Sequence, residues 1–155
     1  TKLVAEDQVI REAANLGISA SVIRVFSVLG ATRNHASLAG LVGRVVMGSG
    51  EQIRNANDVR DFQTPEQYSK NIFRLISCRN LPNRLNLGSG KGMTVAQATR
   101  YFASAAGVEV SEAQFESKTS ENPSVVADTS LFLEATGIVP QTLNLTSTLE
   151  TVEGP

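Results

Sequence analysis

Two helix starts are marked more strongly than any other feature of this sequence, and together they limit the fold. Residues 64–67 read Thr-Pro-Glu-Gln, which predicts a hydroxyl cap, a proline in the first turn and a glutamine that bonds back to the cap. Residues 94–97 read Thr-Val-Ala-Gln and predict a second capping box. Between and around these helix starts lie short runs of apolar residues, so we expect helices and strands to alternate.

Strand patterns support this alternation. Residues 19–26 are rich in β-branched and aromatic side chains and predict a buried strand, residues 84–87 predict a short strand, and the alternation over residues 108–115 predicts a half-buried strand. We expect the other helices at residues 1–16 (ending at Gly17), at 37–46, after Asp128, and around Leu145, Leu149 and Val152. The sequence therefore predicts an α/β fold. Because its first residues already fit a helix, we expect the chain to be a piece of something longer.

Composition narrows the class of protein. The net charge of the 155 residues is −1 and the basic residues are scattered, so we expect no nucleic-acid partner. The sequence has no apolar run of about 18 residues, so we expect no membrane span. The single cysteine, Cys78, fits a reducing compartment and a packed side chain, so we expect a cytoplasmic protein. The single histidine, His35, is expected at the surface or a substrate edge, and no ligand spacing predicts a metal site.

A glycine-rich segment invites comparison with phosphate-binding loops. Residues 88–92 read Gly-Ser-Gly-Lys-Gly, but Leu85 stands where a phosphate loop needs its first glycine. Met93 stands where that loop needs Ser or Thr and where a dinucleotide fingerprint needs its last glycine. We therefore expect a tight turn between a strand and a helix.

The segment before the first capping box could carry chemistry. Arg60 is placed where a planar guanidinium could reach a phosphate. Asp61 could instead pair with Arg60 or bind the start of the helix. From the residues alone, a phosphate site and a structural ion pair both remain open.

Five segments follow one another in a particular order and spacing. They are Thr1-Lys2 on a helix and residues 22–30, 59–62, 84–90 and 127–130. This order resembles the C-terminal half of the extended short-chain dehydrogenases, the NAD(P)-dependent nucleotide-sugar epimerases and dehydratases. The resemblance covers nearly the whole chain, and it rests on the ordered set because no single motif is decisive.

For the cofactor side of a site, the resemblance implies two residues. Lys2 would be the last residue of the family's Tyr-x-x-x-Lys motif, where it would hold the nicotinamide ribose and lower the pKa of a catalytic tyrosine upstream of Thr1. Phe26 would lie near the nicotinamide. The resemblance thus implies NAD or NADP in the intact enzyme. The family's glycine-rich first turn is absent from this sequence, so we expect the chain alone to bind neither.

For the substrate side, the resemblance implies four residues. Arg60 would bind the diphosphate of a nucleotide-sugar, Phe62 would line the same pocket, and Lys118 would supply a second positive charge. Ser27 stands where the family usually has an asparagine that touches the substrate. Asn86 and Asp128 are expected to be structural, at a strand end and a helix cap.

The resemblance also implies an organisation and a function. Residues 1–30 and 63–107 would be the remainder of a Rossmann-like domain, and residues 31–62 and 108–155 would form a small α/β substrate-binding lobe. The expected function is substrate recognition in a nucleotide-sugar epimerase, dehydratase or reductase. The expected partners are a nucleotide-sugar, a missing N-terminal half and further copies in a homo-oligomer. The alternative is a non-catalytic orphan binding module that self-associates or binds a nucleotide-sugar or protein partner.

Overall fold

The computed structural model describes residues 1–29 and 38–141, which form the α/β architecture that the sequence predicts. The helices are α1 (Lys2–Asn15), α2 (Leu38–Val46), α3 (Pro65–Ile76), α4 (Val95–Ala105) and α5 (Ser130–Thr136). The strands are β1 (Val22–Val25), β2 (Ser27–Val28), β3 (Val59–Gln63), β4 (Arg84–Leu87), β5 (Gly92–Thr94) and β6 (Ser124–Val125). His35 and the predicted helix around Leu145, Leu149 and Val152 lie outside the described residues.

Both predicted capping boxes are confirmed. At the start of α3, the Thr64 hydroxyl accepts from the Gln67 N–H at 3.2 Å, and the Gln67 side chain accepts from the Thr64 N–H at 2.9 Å. At the start of α4, the same two bonds join Thr94 and Gln97 at 3.1 and 2.8 Å. These reciprocal bonds satisfy two N–H groups that a helix start otherwise leaves without partners.

The strands form two small sheets. In the first, β1 and β4 run parallel, in register from Val22 opposite Arg84 to Val25 opposite Leu87. In the second, β3 pairs with β2 and β6 in parallel and with β5 in antiparallel orientation. The chain passes between the sheets at Phe26, whose N–H still donates to the Leu87 carbonyl at 2.9 Å. The strand predicted over residues 19–26 is therefore confirmed only for Val22–Val25.

Each sheet has its own apolar core. The first core lies among β4, α3 and α5, and its fully buried members are Leu75, Leu85, Leu87 and Phe132. The second core collects residues from α2, β3 and α4 and from the loops beside them, and its fully buried members are Leu29, Val42, Val45, Ile53, Ala56, Phe62, Val95, Ala96 and Ala98. The cores thus place α4 with the second sheet and α5 with the first, and the domain division stays a prediction.

Helix α1 is attached to the first sheet by ion pairs. It ends before Gly17, whose φ is +67°, as predicted for a left-handed residue after a helix. Glu6 binds Arg24 of β1 at 2.6 Å, and Asp7 binds Arg84 of β4. The hydrogen bond from Arg24 is the main cause that holds the pKa of Glu6 below its usual value. Since Arg24 alternates along β1 with Ile23, which packs against the first core, α1 covers the opposite face of the sheet.

The strand predicted over residues 108–115 is wrong. Val108 and Val110 are half-buried and Glu109 is exposed, so the burial alternates as in a strand. The segment instead turns into a 3₁₀ helix at Glu112–Gln114, and only Phe115 forms a bridge, with Ile53. Alternating burial was predicted correctly, but a ladder also needs a neighbouring strand to bond with.

The remaining local expectations concern the end of the first core. The Cys78 thiol is half-buried and lies 3.3 Å from the carbonyl oxygens of Arg74 and Ala135, which fits a packed side chain. The N-cap of α5 is Thr129 rather than the expected Asp128, which lies one residue earlier and accepts from the Ser130 N–H at 3.0 Å. The Asn86 amide donates to the Asp128 carbonyl at 3.1 Å, which ties β4 to the start of α5.

Residues 1–29 and 38–141 contain neither a membrane-spanning helix nor a cluster of metal-binding side chains. No helix there is long and apolar enough to span a membrane. No group of three His, Cys, Asp or Glu side chains in those two ranges could hold a metal ion.

Candidate functional site

Arg60 is the most strongly positioned cation among the predicted site residues. It is the second residue of β3, and its side chain is 22% exposed. One terminal nitrogen donates to Asp58 Oδ2 at 2.8 Å and to Ser120 Oγ at 3.4 Å, and the other donates to the Val59 carbonyl at 2.8 Å. Both terminal nitrogens of the guanidinium are thereby bonded, and the side chain is held in one orientation.

Asp58 is a site residue that the sequence interpretation missed. It is buried, and its carboxylate accepts from the Ser120 N–H at 3.0 Å and from the Ser120 hydroxyl at 2.6 Å. The Ser120 hydroxyl, then the Ser120 N–H, and then the charge of Arg60 hold the pKa of Asp58 below its usual value. A signal for this pair existed, because Asp58 directly precedes β3 and side chains two residues apart in extended backbone point to the same face.

Further hydrogen bonds attach the loop at residues 117–123 to β3 and to the segment before it. The Val59 N–H donates to the Pro123 carbonyl at 2.6 Å, and the Asn57 amide donates to the Ser117 carbonyl at 3.2 Å. Lys118 lies in this loop, 80% exposed, with its ammonium 3.1 Å from Glu116. The structure thus brings the loop of Lys118 to Arg60 through Ser120, while the Lys118 side chain itself extends into solvent.

Asp61 does not pair with Arg60. The predicted ion pair of Arg60 with Asp61 is therefore wrong, because Arg60 pairs with Asp58 instead. The buried carboxylate of Asp61 turns to the loop after β4, where Oδ1 accepts from the Ser89 N–H at 2.7 Å and from the Ser89 hydroxyl at 2.6 Å. Oδ2 accepts from the N–H groups of Gly90 at 2.9 Å and Ala127 at 3.2 Å. Asp61 therefore joins β3 to the glycine-rich turn and to the segment before α5.

The glycine-rich turn is structural, but it joins β4 to β5, so the expected turn directly between a strand and a helix is wrong in its second element. The N–H groups of Ser89 and Gly90, which a phosphate loop would offer to its ligand, are already bonded to Asp61. A Cβ on Gly88 would lie 2.5 Å from both the Ala127 Cβ and Asp61 Oδ2, so the close approach of these segments explains the glycine.

Lys2 and Phe26 lie towards the same end of the first sheet, the carboxyl end of its strands. Glu6 binds Arg24 near the end of β1, and Lys2 precedes Glu6 by about one helical turn. Lys2 therefore lies towards the carboxyl end of β1, which Phe26 directly follows. In open α/β sheets, ligands bind at the carboxyl ends of the parallel strands.

Ser27 and Phe62 are brought together on adjacent strands. They are register partners in the parallel pairing of β2 with β3. Ser27 is half-buried, whereas Phe62 is 1% exposed and belongs to the second core. In this structure Phe62 therefore packs within the protein, and its part in a ligand pocket stays a prediction.

Comparisons with known proteins identify the fold. No protein-family model matches the sequence, and no curated protein matches it. Among solved structures, RMD from Pseudomonas aeruginosa, complexed with NADPH, has a TM-score of 0.75 at 20% identity, over 96% of this chain and 51% of that one. UDP-glucose 4-epimerase from Thermotoga maritima, with UDP-glucose, has a TM-score of 0.70 at 20% identity, over 90% of this chain and 47% of that one.

A third similar structure is also an epimerase. The UDP-N-acetylglucosamine 4-epimerase from Methanobrevibacter ruminantium, in complex with UDP-N-acetylmuramic acid, has a TM-score of 0.71 at 16% identity. That alignment covers 90% of this chain and 46% of the epimerase. The chain therefore spans about half the length of the structures it resembles. Within that half it has the fold of the NAD(P)-dependent nucleotide-sugar epimerases and dehydratases, the extended short-chain dehydrogenase fold.

Proposed function

We propose that this chain is the substrate-recognition half of an NAD(P)-dependent nucleotide-sugar epimerase, dehydratase or reductase, in which Arg60 binds the diphosphate. The observation that carries the proposal is the fixed guanidinium of Arg60, held by Asp58 and Ser120 beside the loop of Lys118. The fold supports it, because similar structures include complexes with UDP-glucose and UDP-glucuronic acid. The chain by itself would recognise the substrate without transforming it.

The geometry suits an anion with two phosphates. The Nε–H group and one Nη1–H of Arg60 have no assigned acceptor, and each can donate a charge-assisted hydrogen bond to a phosphate oxygen. Asp58 neutralises the charge of Arg60 locally, so the pair alone attracts an anion weakly. Lys118 would add the missing positive charge through movement of a flexible side chain that its loop already brings near. Ser27, next to Phe62, would offer a hydroxyl to the sugar.

The residues of this chain fit only the nicotinamide end of NAD(P). Lys2 and Phe26 would contact the nicotinamide and its ribose, and the bound nicotinamide would supply hydride transfer at a sugar carbon. In the glycine-rich turn at residues 88–92, the N–H groups of Ser89 and Gly90 are bonded to Asp61, so this turn does not offer a pyrophosphate cradle. We propose that Lys2 holds a positive charge beside a tyrosine supplied from outside these residues and favours its ionised form.

Calorimetric titration with UDP tests the role of Arg60. We expect Arg60→Ala to weaken binding at least about tenfold, because a charge-assisted contact contributes about 1.5–3 kcal/mol. Arg60→Lys should recover part of the affinity, since it keeps the charge and loses the fixed orientation of the guanidinium. Arg11→Ala is the control: this exposed arginine on α1 should leave binding within about twofold. Equal UDP affinity in the Arg60→Ala variant and the unchanged protein would refute the proposed site.

The enzymatic role needs a second measurement. Intact-mass analysis of the protein from its native source, together with NAD(H) titration, should show a longer chain that binds the cofactor. A native chain that begins at or near Thr1 and binds no NAD(H) would instead support a non-catalytic binding module. UDP binding at Arg60 is compatible with both outcomes, so the two experiments answer separate questions.

A further inference from the structure

Asp58 places a buried negative charge beside the donors that the proposed diphosphate site would use. Its side chain is 3% exposed, and its Oδ2 lies 2.8 Å from the terminal nitrogen Nη2 of Arg60. The Nε–H group and one Nη1–H of that guanidinium have no assigned acceptor. Because the three nitrogens of a guanidinium share one small plane, a phosphate bonded to these donors would lie roughly 4–7 Å from the Asp58 carboxylate.

The Asp58 carboxylate is both ionised and fixed in place. The hydroxyl and the N–H of Ser120 donate to it at 2.6 and 3.0 Å, in addition to the bond from Arg60. These contacts, led by the Ser120 hydroxyl, hold the pKa of Asp58 below its usual value. An anion bound at Arg60 would therefore meet a carboxylate that neither takes up a proton at neutral pH nor rotates away.

The positive charge of Arg60 is already compensated by the Asp58 carboxylate. The register partners of Arg60 on the two neighbouring strands, Met93 and Val125, carry no charge. The loop at residues 117–123 and the residue before it bring three charged side chains to this region: Glu116, Lys118 and Glu121. The Lys118 side chain is 80% exposed, so solvent and salt screen its charge far more than they screen the charge of Asp58.

We propose that Asp58 is a specificity-determining residue, which makes the site favour nucleotide-sugars over free nucleoside diphosphates. At neutral pH the terminal phosphate of a free nucleoside diphosphate carries close to two negative charges, whereas a sugar ester leaves it only one. The added charge is repelled by Asp58 and gains little from the compensated Arg60. The inference rests on the proposed function, because it requires the diphosphate to bind at Arg60.

A purely structural role for Asp58 makes a different prediction. If Asp58 only orients Arg60 and the loop of Lys118, its loss weakens the binding of both classes of ligand by the same factor. If its charge selects between them, its loss changes the ratio of the two affinities, whatever happens to each affinity alone. The ratio of affinities is therefore the measurement that separates the two roles.

Calorimetric titration with two ligands that differ by one charge measures this ratio. The ligands are UDP and UDP methylated on its terminal phosphate, which has the same base and phosphates and no sugar. At about pH 7.5 we expect the unchanged protein to bind the methyl ester at least about threefold more tightly than UDP. Asp58→Asn should shift the ratio of affinities at least about tenfold towards UDP, because it removes the buried charge and keeps the shape.

Two variants control for effects other than the charge of Asp58. Ser120→Ala removes the hydroxyl that holds the carboxylate but leaves its charge, so it should weaken the binding of both ligands and keep their ratio within about twofold. Asp7→Asn makes the same chemical change in an exposed ion pair on α1 and should also leave the ratio within about twofold. A ratio that Asp58→Asn shifts no more than Ser120→Ala does would overturn the proposal.

The unchanged protein gives a second test that requires no variant. Between about pH 7.5 and pH 5.5 the terminal phosphate of UDP takes up a proton, while the methyl ester does not titrate. Asp58 stays ionised over this range, so we expect the affinity for UDP to approach that for the methyl ester at the lower pH. Because His35 lies outside the described residues, the ratio to the methyl ester also cancels any titration of the protein that affects both ligands.

The outcomes separate this inference from the proposed function. A ratio of affinities that does not change between the two pH values would overturn the selective role of Asp58 and leave the diphosphate site intact. Failure of both ligands to bind, or undiminished binding of both by Arg60→Ala, would instead refute the diphosphate site, and the selective role of Asp58 would fall with it.

Discussion

Replacing Asp61 by asparagine should be among the most damaging isosteric changes in this protein. The Asp61 carboxylate is buried and accepts four hydrogen bonds, two from Ser89 and one each from the N–H groups of Gly90 and Ala127, at 2.6–3.2 Å. These bonds join residues 28 to 66 positions apart in the sequence. An asparagine has the same shape but presents an acceptor at one end and donors at the other.

The expected loss in the free energy of unfolding depends on which of two orientations the asparagine amide adopts. At the Oδ2 position it would face two N–H donors, from Gly90 and Ala127. At the Oδ1 position the Ser89 hydroxyl could rotate to accept, and only the Ser89 N–H would lose its partner. Even this better orientation loses one charge-assisted bond, which contributes about 1.5–3 kcal/mol, and weakens the others by removing the charge. We expect Asp61→Asn to lower the free energy of unfolding by about 3 kcal/mol.

Urea unfolding measures this loss, and the melting temperature should fall by roughly 6–12 °C for a chain of this size. Asp7→Asn is the control, since it makes the same chemical change in a 60% exposed ion pair with Arg84 and should alter stability by about 1 kcal/mol or less. A double-mutant cycle with Ser89→Ala should give a coupling energy above about 0.5 kcal/mol. A loss below about 1 kcal/mol for Asp61→Asn would refute the argument that this carboxylate holds the three segments together.

Two further predictions concern neighbouring positions. Gly88→Ala should lower the free energy of unfolding in urea by about 1–3 kcal/mol, because the new Cβ would lie 2.5 Å from the Ala127 Cβ. Gly43→Ala is the control: Gly43 lies in α2 with open space around it, so this change should be neutral or stabilising by up to about 1 kcal/mol. The pKa of Asp58 is lower in the folded than in the unfolded protein, so its stabilisation is present above the unfolded pKa near 3.9 and is lost as pH falls through the folded pKa. Unfolding measured from pH 7 to pH 2.5 should therefore show Asp58→Asn less stable than the unchanged protein at neutral pH, with the difference disappearing in acid; a pH-independent difference would contradict the assignment.

What the sequence predicted well is what a few neighbouring residues decide. The capping boxes at Thr64 and Thr94 formed as expected because each uses bonds between residues three apart. The end of α1 before Gly17 has the same local origin. The family resemblance added the fold, since the order of segments contains information on topology that no single segment has.

What the sequence did not predict depends on distant partners. Residues 108–115 have the alternation of a strand, yet pairing needs a neighbour that the pattern does not specify. The partners of Asp61 are Ser89, Gly90 and Ala127, and no local signal connects them. The pairing of Asp58 with Arg60 is different, because their spacing on a strand already places them on one face. That pair could have been predicted once β3 was assigned.

The two cores also differ in how far the described chain surrounds them, and this should be visible in their dynamics. The second core has nine buried apolar residues and the first has four, beside the open edge of β1, with which no described strand pairs. Free energies of local opening follow buried apolar contacts. In residues 1–155 alone, native-state hydrogen exchange should therefore show α3 opening at lower urea than α4, in a step below global unfolding. If both helices open only in the global transition, the first core is already complete and the open edge of β1 needs no cover for stability. If α3 opens early and gains protection in the native material, the same four-residue core is stable only when the open edge is covered, which is the behaviour expected of one part of a larger sheet.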